Sequence, residues 1–305
     1  MQKKAHLAGI AFAVVFGFSF MFSKIALSYV TPVGLIAYRF LIAYLVFELL
    51  RITKVVKIRF KKANLIPLLL VAIFQPVLYF IFETYGLLKT SSGEAGMMIA
   101  LIPIFVSIFS TLFLKEKPRK IQVFFILLSV SGILFIQFSK SQIEFASQWI
   151  GFLLLFFAVL SAALFNITSR NASKTLKPHE VTYFMMFAGA LVFNVIYIIE
   201  LLFEHRISDY YLNLQHLEII WPILYLGIIA SIGGFFLVNY ALSKLPAHVS
   251  SIYSNLSTIV AIIAGATILS EQLYYYHYIG GVMIIIGVYG TVRSNRVSKR
   301  WLITK

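Results

Sequence analysis

The chain of 305 residues contains no cysteine, which excludes disulfide bridges and thiolate chemistry. It is almost as poor in acids, with 11 Asp and Glu against 26 Lys and Arg, and charged residues make up only 12% of it. With 60% apolar residues and a mean hydropathy of +0.91, such a chain cannot clothe a soluble surface. The six histidines, His6, His179, His205, His216, His248 and His277, stand near the ends of apolar runs without the spacing of metal ligands. No phosphate-cradling GxxxxGKS/T loop, HExxH pair or GxSxG elbow occurs. The expectation is therefore no metal, no cofactor, no catalytic residue and no enzyme activity.

What is present is a series of long apolar runs. Ten can be marked, at 7–27, 33–50, 65–82, 95–114, 121–138, 149–169, 181–202, 219–240, 249–269 and 276–292. Each is long enough, or nearly so, to cross about 30 Å of hydrocarbon as a helix. Lipid offers backbone groups no water, so such runs must close their hydrogen bonds within themselves. The fold class expected is an all-α integral membrane protein with ten transmembrane helices. Residues 1–30 have the charge and apolar run of a secretory signal, yet they are read as a retained first helix because they have a counterpart later in the chain.

The formal charge of +15 is distributed as a membrane distributes it. With the amino terminus inside, 21 of the 26 basic residues fall on inward segments, and only Lys89, Lys140 and Arg206 fall outside. Lys24 and Arg39 lie within apolar runs. This asymmetry predicts a multi-pass protein of the cytoplasmic membrane with both termini in the cytoplasm. Nucleic acid is not an expected partner, since no loop interleaves its basic residues with aromatic ones.

The sequence is also written twice. Shifted by 155 positions, 80–132 falls on 235–287 without a gap and with ten identities in 53 positions, among them Tyr85 on Tyr240, Lys89 on Lys244, Glu116 on Glu271 and Gly132 on Gly287. At an offset of 146, Lys24 falls on Arg170 and Pro32 on Pro178. Two halves are expected, 1–140 with five helices and 147–292 with five more, followed by a basic tail at 293–305. An odd number of helices per half requires the copies to lie in opposite orientations, an arrangement by which secondary transporters hold a substrate between halves.

Candidate binding residues are the polar groups inside apolar runs, where each needs a partner. Lys24 and Arg39 either reach the outer interface or face the bundle and hold an anion such as a carboxylate. Gln75, beside a bend at Pro76, shares a helix face with Tyr79 and Glu83 beyond it, and Glu94 opens the fourth helix. Asn166, Asn239, Tyr253 and Asn255 lie in the second half, the last two in a polar stretch read as cavity lining, with helix packing as the alternative. Pro103 is expected in the middle of helix four. Glu116 and Glu271 are expected to satisfy helix ends and cations. Gly132, Gly280, Gly281, Gly287 and Gly290 mark close helix approaches, within the chain or in a homodimer.

Three blocks carry a family resemblance: Phe16-Gly17-Phe18-Ser19-Phe20 with Lys24, Pro32 and Arg39-Phe40; Tyr85-Gly86-Leu87 with Pro103, Leu114-Lys115-Glu116 and Gly132; and Tyr240-Ala241-Leu242 with Ser270-Glu271 and Gly287. Together they resemble the two EamA-type repeats of the drug/metabolite transporter superfamily. The resemblance covers nearly the whole chain. It implies two inverted five-helix repeats, cytoplasmic termini and a central cavity lined mainly by helices one, three, four, six, eight and nine. It also implies a small-molecule substrate, an amino acid or related zwitterion with export as the expected direction, or else lipophilic cations or drugs. A coupled proton and surrounding membrane lipid are the other partners expected. A non-transporting accessory membrane protein is the reading from another class. The chain departs from the family pattern at Thr258, where proline is frequent, and in having Glu83 and Glu94.

Overall fold

The computed structural model describes residues 2–60, 64–87, 89, 98–140, 149–212, 215, 217–268 and 273–303. Among these the chain is helical, without a strand. We number the helices α1 (Gln2–Ala26), α2 (Pro32–Ile52), α3 (Leu65–Ala72, Ile73–Leu78 and Tyr79–Leu87), α4 (Ile102–Phe113) and α5 (Lys120–Lys140) in the first half. The second half contributes α6 (Trp149–Ala172), α7 (Pro178–Phe203), α8 (Leu217–Leu224, Tyr225–Gly234 and Phe235–Lys244), α9 (Ala247–Ser251 and Ser254–Ile268) and α10 (Tyr275–Ile303). Eight of the ten are long and apolar enough to cross a membrane by length and composition, and α4 and α5 supply shorter apolar helices.

Proline and threonine set the helix starts. Pro32 and Pro178 stand in the first turns of α2 and α7, where a missing N–H costs nothing. Thr31 caps α2 by accepting from the Gly34 amide at 3.1 Å. Pro103 lies in the first turn of α4 rather than in its middle, because residues 100 and 101 form a turn before it. The polar stretch expected as one helix is likewise split, with a turn at 252–253 dividing α9. Ser251 and Ser254 there donate to carbonyls three residues back, at 3.3 and 2.7 Å. The expected tail does not begin at a break, since α10 runs on to Ile303.

Helix contacts follow the internal repeat. α2 packs on α7 and α5 on α10, while α1 packs on α8 and α9, and α6 packs on α3 and α4. Replacing every helix by the one five places along returns the same set of pairs. The α5–α10 pair is made by glycine. A side chain at Gly132 would come within 2.6 Å of the Gly280 carbonyl, and one at Gly287 within 2.5 Å of the Phe125 carbonyl. Without water to drive helices together, such close backbone approach is what holds them in lipid. These glycines serve internal packing; Gly281, with nothing within 4 Å, does not.

The repeat extends to irregularities. α3 is interrupted by wide π-type turns at Ile73–Leu78 and α8 at Tyr225–Gly234. Shifted by 155, the first range falls on 228–233, inside the second. In α3 the cause is local: Pro76 has no amide to donate, and Gln75 leaves the helical region at φ −153°, ψ 120°, with a cis bond to Pro76. In α8 the equivalent of Pro76 is Ser231, followed by Gly233 and Gly234. Wide turns of this kind free backbone groups and recur at functional sites.

Candidate functional site

The two interrupted helices flank Arg39. It sits in the third turn of α2, is 8% exposed and turns inward, which settles the choice between the interface and the bundle. Two glycines let the neighbouring helices reach it. A side chain at Gly227 of α8 would meet the Arg39 carbonyl at 3.0 Å, and one at Gly189 of α7 would meet the Phe40 ring at 2.7 Å and Pro76 at 3.0 Å. The Arg39 Nε donates to Ser231 Oγ at 2.7 Å, from the first half to the second. Its guanidinium carbon lies 5.2 Å from the centre of the Phe80 ring and 5.8 Å from that of Phe40, within cation–π range.

No carboxylate among the described residues stands within 4.0 Å of this guanidinium. Tyr79 of α3 packs edge-on against Phe80, the ring that faces the guanidinium, with ring centres 5.1 Å apart, and Glu83 follows four residues along the same helix. They are joined to each other, with the Tyr79 hydroxyl donating to Glu83 Oε1 at 3.0 Å. A buried cation held by one neutral hydroxyl is costly unless an anion completes it. Gln75 lies at the break of α3, where its extended backbone interrupts the four-residue spacing that would put it on one face with Tyr79 and Glu83. The structure thus brings Arg39, Tyr79 and Glu83 to one region and adds Ser231, Phe40 and Phe80, which sequence reasoning had not placed there. The offset of 155 between Pro76 and Ser231 was the available signal for the serine.

The remaining candidates have other employment. Asn239 is fully buried, accepts from Ser169 at 2.6 Å and donates to Thr182 at 2.9 Å, tying α8 to α6 and α7. Asn166 donates to the Ala162 carbonyl of its own helix at 2.8 Å. Tyr253 meets His6 Nδ1 at 2.7 Å between α9 and α1, and Asn255 donates to Ser129 of α5 at 3.1 Å. Glu94 lies outside the described residues, as does the side chain of Lys24, whose backbone belongs to α1.

Two further networks frame the region. At the end of the bundle that holds Lys244, Glu116 accepts from Arg170 Nε at 2.9 Å and from the Ala247 amide at 2.8 Å, capping α9. Arg170 also donates to the Leu242 carbonyl at 2.9 Å. Glu116 therefore satisfies a helix end and a cation as expected; Glu271 lies outside the described residues. At the other end, Tyr210 in the turn Asp209–Leu212 donates to Asn194 at 2.6 Å, and Asn194 donates to the Ala37 carbonyl at 3.2 Å. A groove of about 360 Å³ lined by Phe125, Ile286, Tyr289, Gly290, Arg293 and Ser294 lies apart, on the α5–α10 pair.

Comparison with known proteins agrees with this architecture. Residues 3–138 and 149–293 each match the EamA-like transporter family. The chain is 37% identical over 300 residues to the "Uncharacterized transporter YcxC" of Bacillus subtilis (strain 168), covering 98% of this chain and 96% of that one. It is 27% identical over 287 residues to an "Uncharacterized transporter" of Archaeoglobus fulgidus, covering 93% and 98%. A crystal structure superposes with a TM-score of 0.78 over 97% of this chain and 99% of the other; at 16% identity it shows the shared fold alone. An all-helical chain built of two corresponding halves, matched by the family twice over, is a multi-pass membrane protein that belongs to the EamA-like transporter family.

Proposed function

We propose that the chain is a secondary transporter exporting a small zwitterionic metabolite, an amino acid or a close relative, across the cytoplasmic membrane by alternating access. The carrying observation is Arg39, a buried guanidinium with one neutral hydrogen-bond partner, at the contact between halves. A carboxylate is the ligand whose charge and planar geometry suit it. Glu83, with Tyr79 on one oxygen, would receive the ammonium group or a coupled proton. Gln75 and Lys24 are secondary candidates for the same ligand. In this reading the halves lie in opposite orientations with both termini cytoplasmic, and the end held by Glu116 and Arg170 faces the cytoplasm.

The aromatic cluster of Phe40, Phe80, Phe193 and Tyr79 favours a second reading, transport of lipophilic cations. Arg39 opposes it, because a cation entering there meets a like charge in a poorly screened interior.

The test is thermal-shift screening of purified protein against amino acids, sugars, nucleosides and lipophilic cations, followed by counterflow of any hit in proteoliposomes. A ligand that binds only the folded state must stabilise it. An amino acid that shifts the melting temperature and exchanges across the vesicle, with both effects abolished in Arg39→Ala, is the expected result. Stabilisation by cations alone, or exchange unaffected by Arg39→Ala, would overturn the zwitterion reading.

A further inference from the structure

We infer that Ser231 is the residue that makes the site selective for a carboxylate, by fixing how the Arg39 fork is presented. The inference rests on the proposed zwitterion site and goes beyond it, since it assigns the selectivity to a side chain of the opposite half.

An arginine fork can bind a carboxylate through two edges, the side edge of Nε with one Nη, or the end formed by Nη1 and Nη2. Here the side edge is occupied, because Nε donates to Ser231 Oγ at 2.7 Å. The end remains, with two parallel N–H groups, one from each terminal nitrogen. Two oxygens of one carboxylate match that pair, each accepting one bond. A carboxamide does not, since it offers one acceptor oxygen and turns an NH2 donor toward a second donor. The Phe80 and Phe40 rings at 5.2 and 5.8 Å limit the tilt of the guanidinium. Ser231 is fully buried, so water does not replace it as the Nε partner.

The position of Ser231 gives the bond a second consequence. It stands in the wide turn of α8, at the position that Pro76 occupies in the wide turn of α3. One turn earlier, Gly227 brings α8 against the Arg39 carbonyl. The first half thus carries the charge while the second half carries its aim. Any rearrangement that draws α8 away from α2 leaves Nε unheld and the fork free to rotate, so affinity for the carboxylate is tied to how the halves meet. The serine has no such counterpart in α3, where proline offers no hydroxyl, in keeping with a site that has one charge and one polarity.

The experiment measures apparent Kd by thermal shift for each of the twenty amino acids and its carboxamide, on wild type, Ser231→Ala and Ser231→Thr. The wild type should bind at least one amino acid tenfold or more tightly than its amide. Ser231→Ala should weaken that amino acid about tenfold and leave the amide within about twofold, so that discrimination collapses. Ser231→Thr, which keeps the hydroxyl, should stay within about threefold of wild type for both. Equal loss for acid and amide in Ser231→Ala, or failure of threonine to restore the difference, would make Ser231 a packing residue and overturn the inference while leaving the zwitterion site standing. Wild type that binds no amino acid would overturn the underlying site and this inference with it.

Discussion

Glu116 of the α4–α5 connection and Arg170 at the end of α6 meet at 2.9 Å across the boundary between the two halves of the chain. The carboxylate reaches one residue further, to the amide of Ala247 at the start of α9, and the guanidinium reaches the Leu242 carbonyl. The acid thus fastens the first half to α6 and α9 of the second, and the arginine ties α6 to α8. Under alternating access the seam cannot open at this end until these bonds part. Glu116→Gln removes the charge and keeps the shape. With both side chains about a quarter exposed, we expect it to cost about 1–2 kcal/mol, seen as a lower melting temperature in detergent. A cysteine introduced at Ser173, one turn beyond Arg170, should react faster with a charged thiol reagent in the Glu116→Gln background than with Glu116 intact. An unchanged melting temperature and an unchanged rate would show that the contact fastens nothing.

Arg39 and Glu83 should differ in how their loss reads out. Arg39→Ala removes the carboxylate partner and should reduce counterflow of an amino-acid substrate by a hundredfold or more. Arg39→Lys keeps the charge without the fork, and an intermediate loss of about tenfold is expected. Glu83→Gln keeps a polar group beside Tyr79 but not the charge. It should weaken amino acids more than the corresponding des-amino acids, which lack the ammonium group. Equal effects on both ligand series, measured as apparent Kd, would place Glu83 outside the binding site.

Asn239 should behave as a structural residue. Its amide is used at both ends, by Ser169 and Thr182, and removing it strands the buried Ser169 hydroxyl, while Thr182 keeps its bond to the Pro178 carbonyl. Asn239→Ala is expected to cost about 1–3 kcal/mol and to lower the melting temperature without changing the order in which ligands are preferred. A change in ligand preference at constant stability would contradict that assignment.

Glycine at 132 and 280 is a requirement of packing. Each would drive a side chain to within 2.6 Å of a carbonyl on the facing helix, which neither backbone can yield without moving apart. Gly132→Val should therefore separate α5 from α10 and destabilise the protein by about 1–3 kcal/mol. Gly281→Val, on the facing helix α10 with open space around it, is the control and should be tolerated within about 0.5 kcal/mol. Comparable losses from both would mean that the strained contact is not what holds the pair.

Much of this organisation was legible in the sequence because membrane proteins write their constraints in long stretches. Ten apolar runs, the bias of basic residues and the offset of 155 gave the helices, the class and the two halves. The bend at Pro76 was legible for the same reason that it exists, since proline removes a donor. The inward turn of Arg39 was not, because a cation in an apolar run looks alike whether it faces lipid headgroups or a partner across the bundle. Tyr253 and Asn255 looked like cavity lining, but spacing alone does not reveal that His6 and Ser129, over a hundred residues away, are their partners. The turns inside α9 and ahead of Pro103 were hidden in otherwise unbroken apolar stretches. Ser231 was a small residue among small residues until α2 was folded against it.

The whole transport account requires the two halves to lie in opposite orientations, and the absence of native cysteine makes that directly measurable. Lys89 and its repeat counterpart Lys244 are both exposed, so single cysteines at each can be labelled in right-side-out vesicles with a membrane-impermeant thiol reagent. The account predicts that Lys89→Cys is labelled from outside and that Lys244→Cys is labelled only after the membrane is permeabilised. Labelling of both from the same side would contradict it.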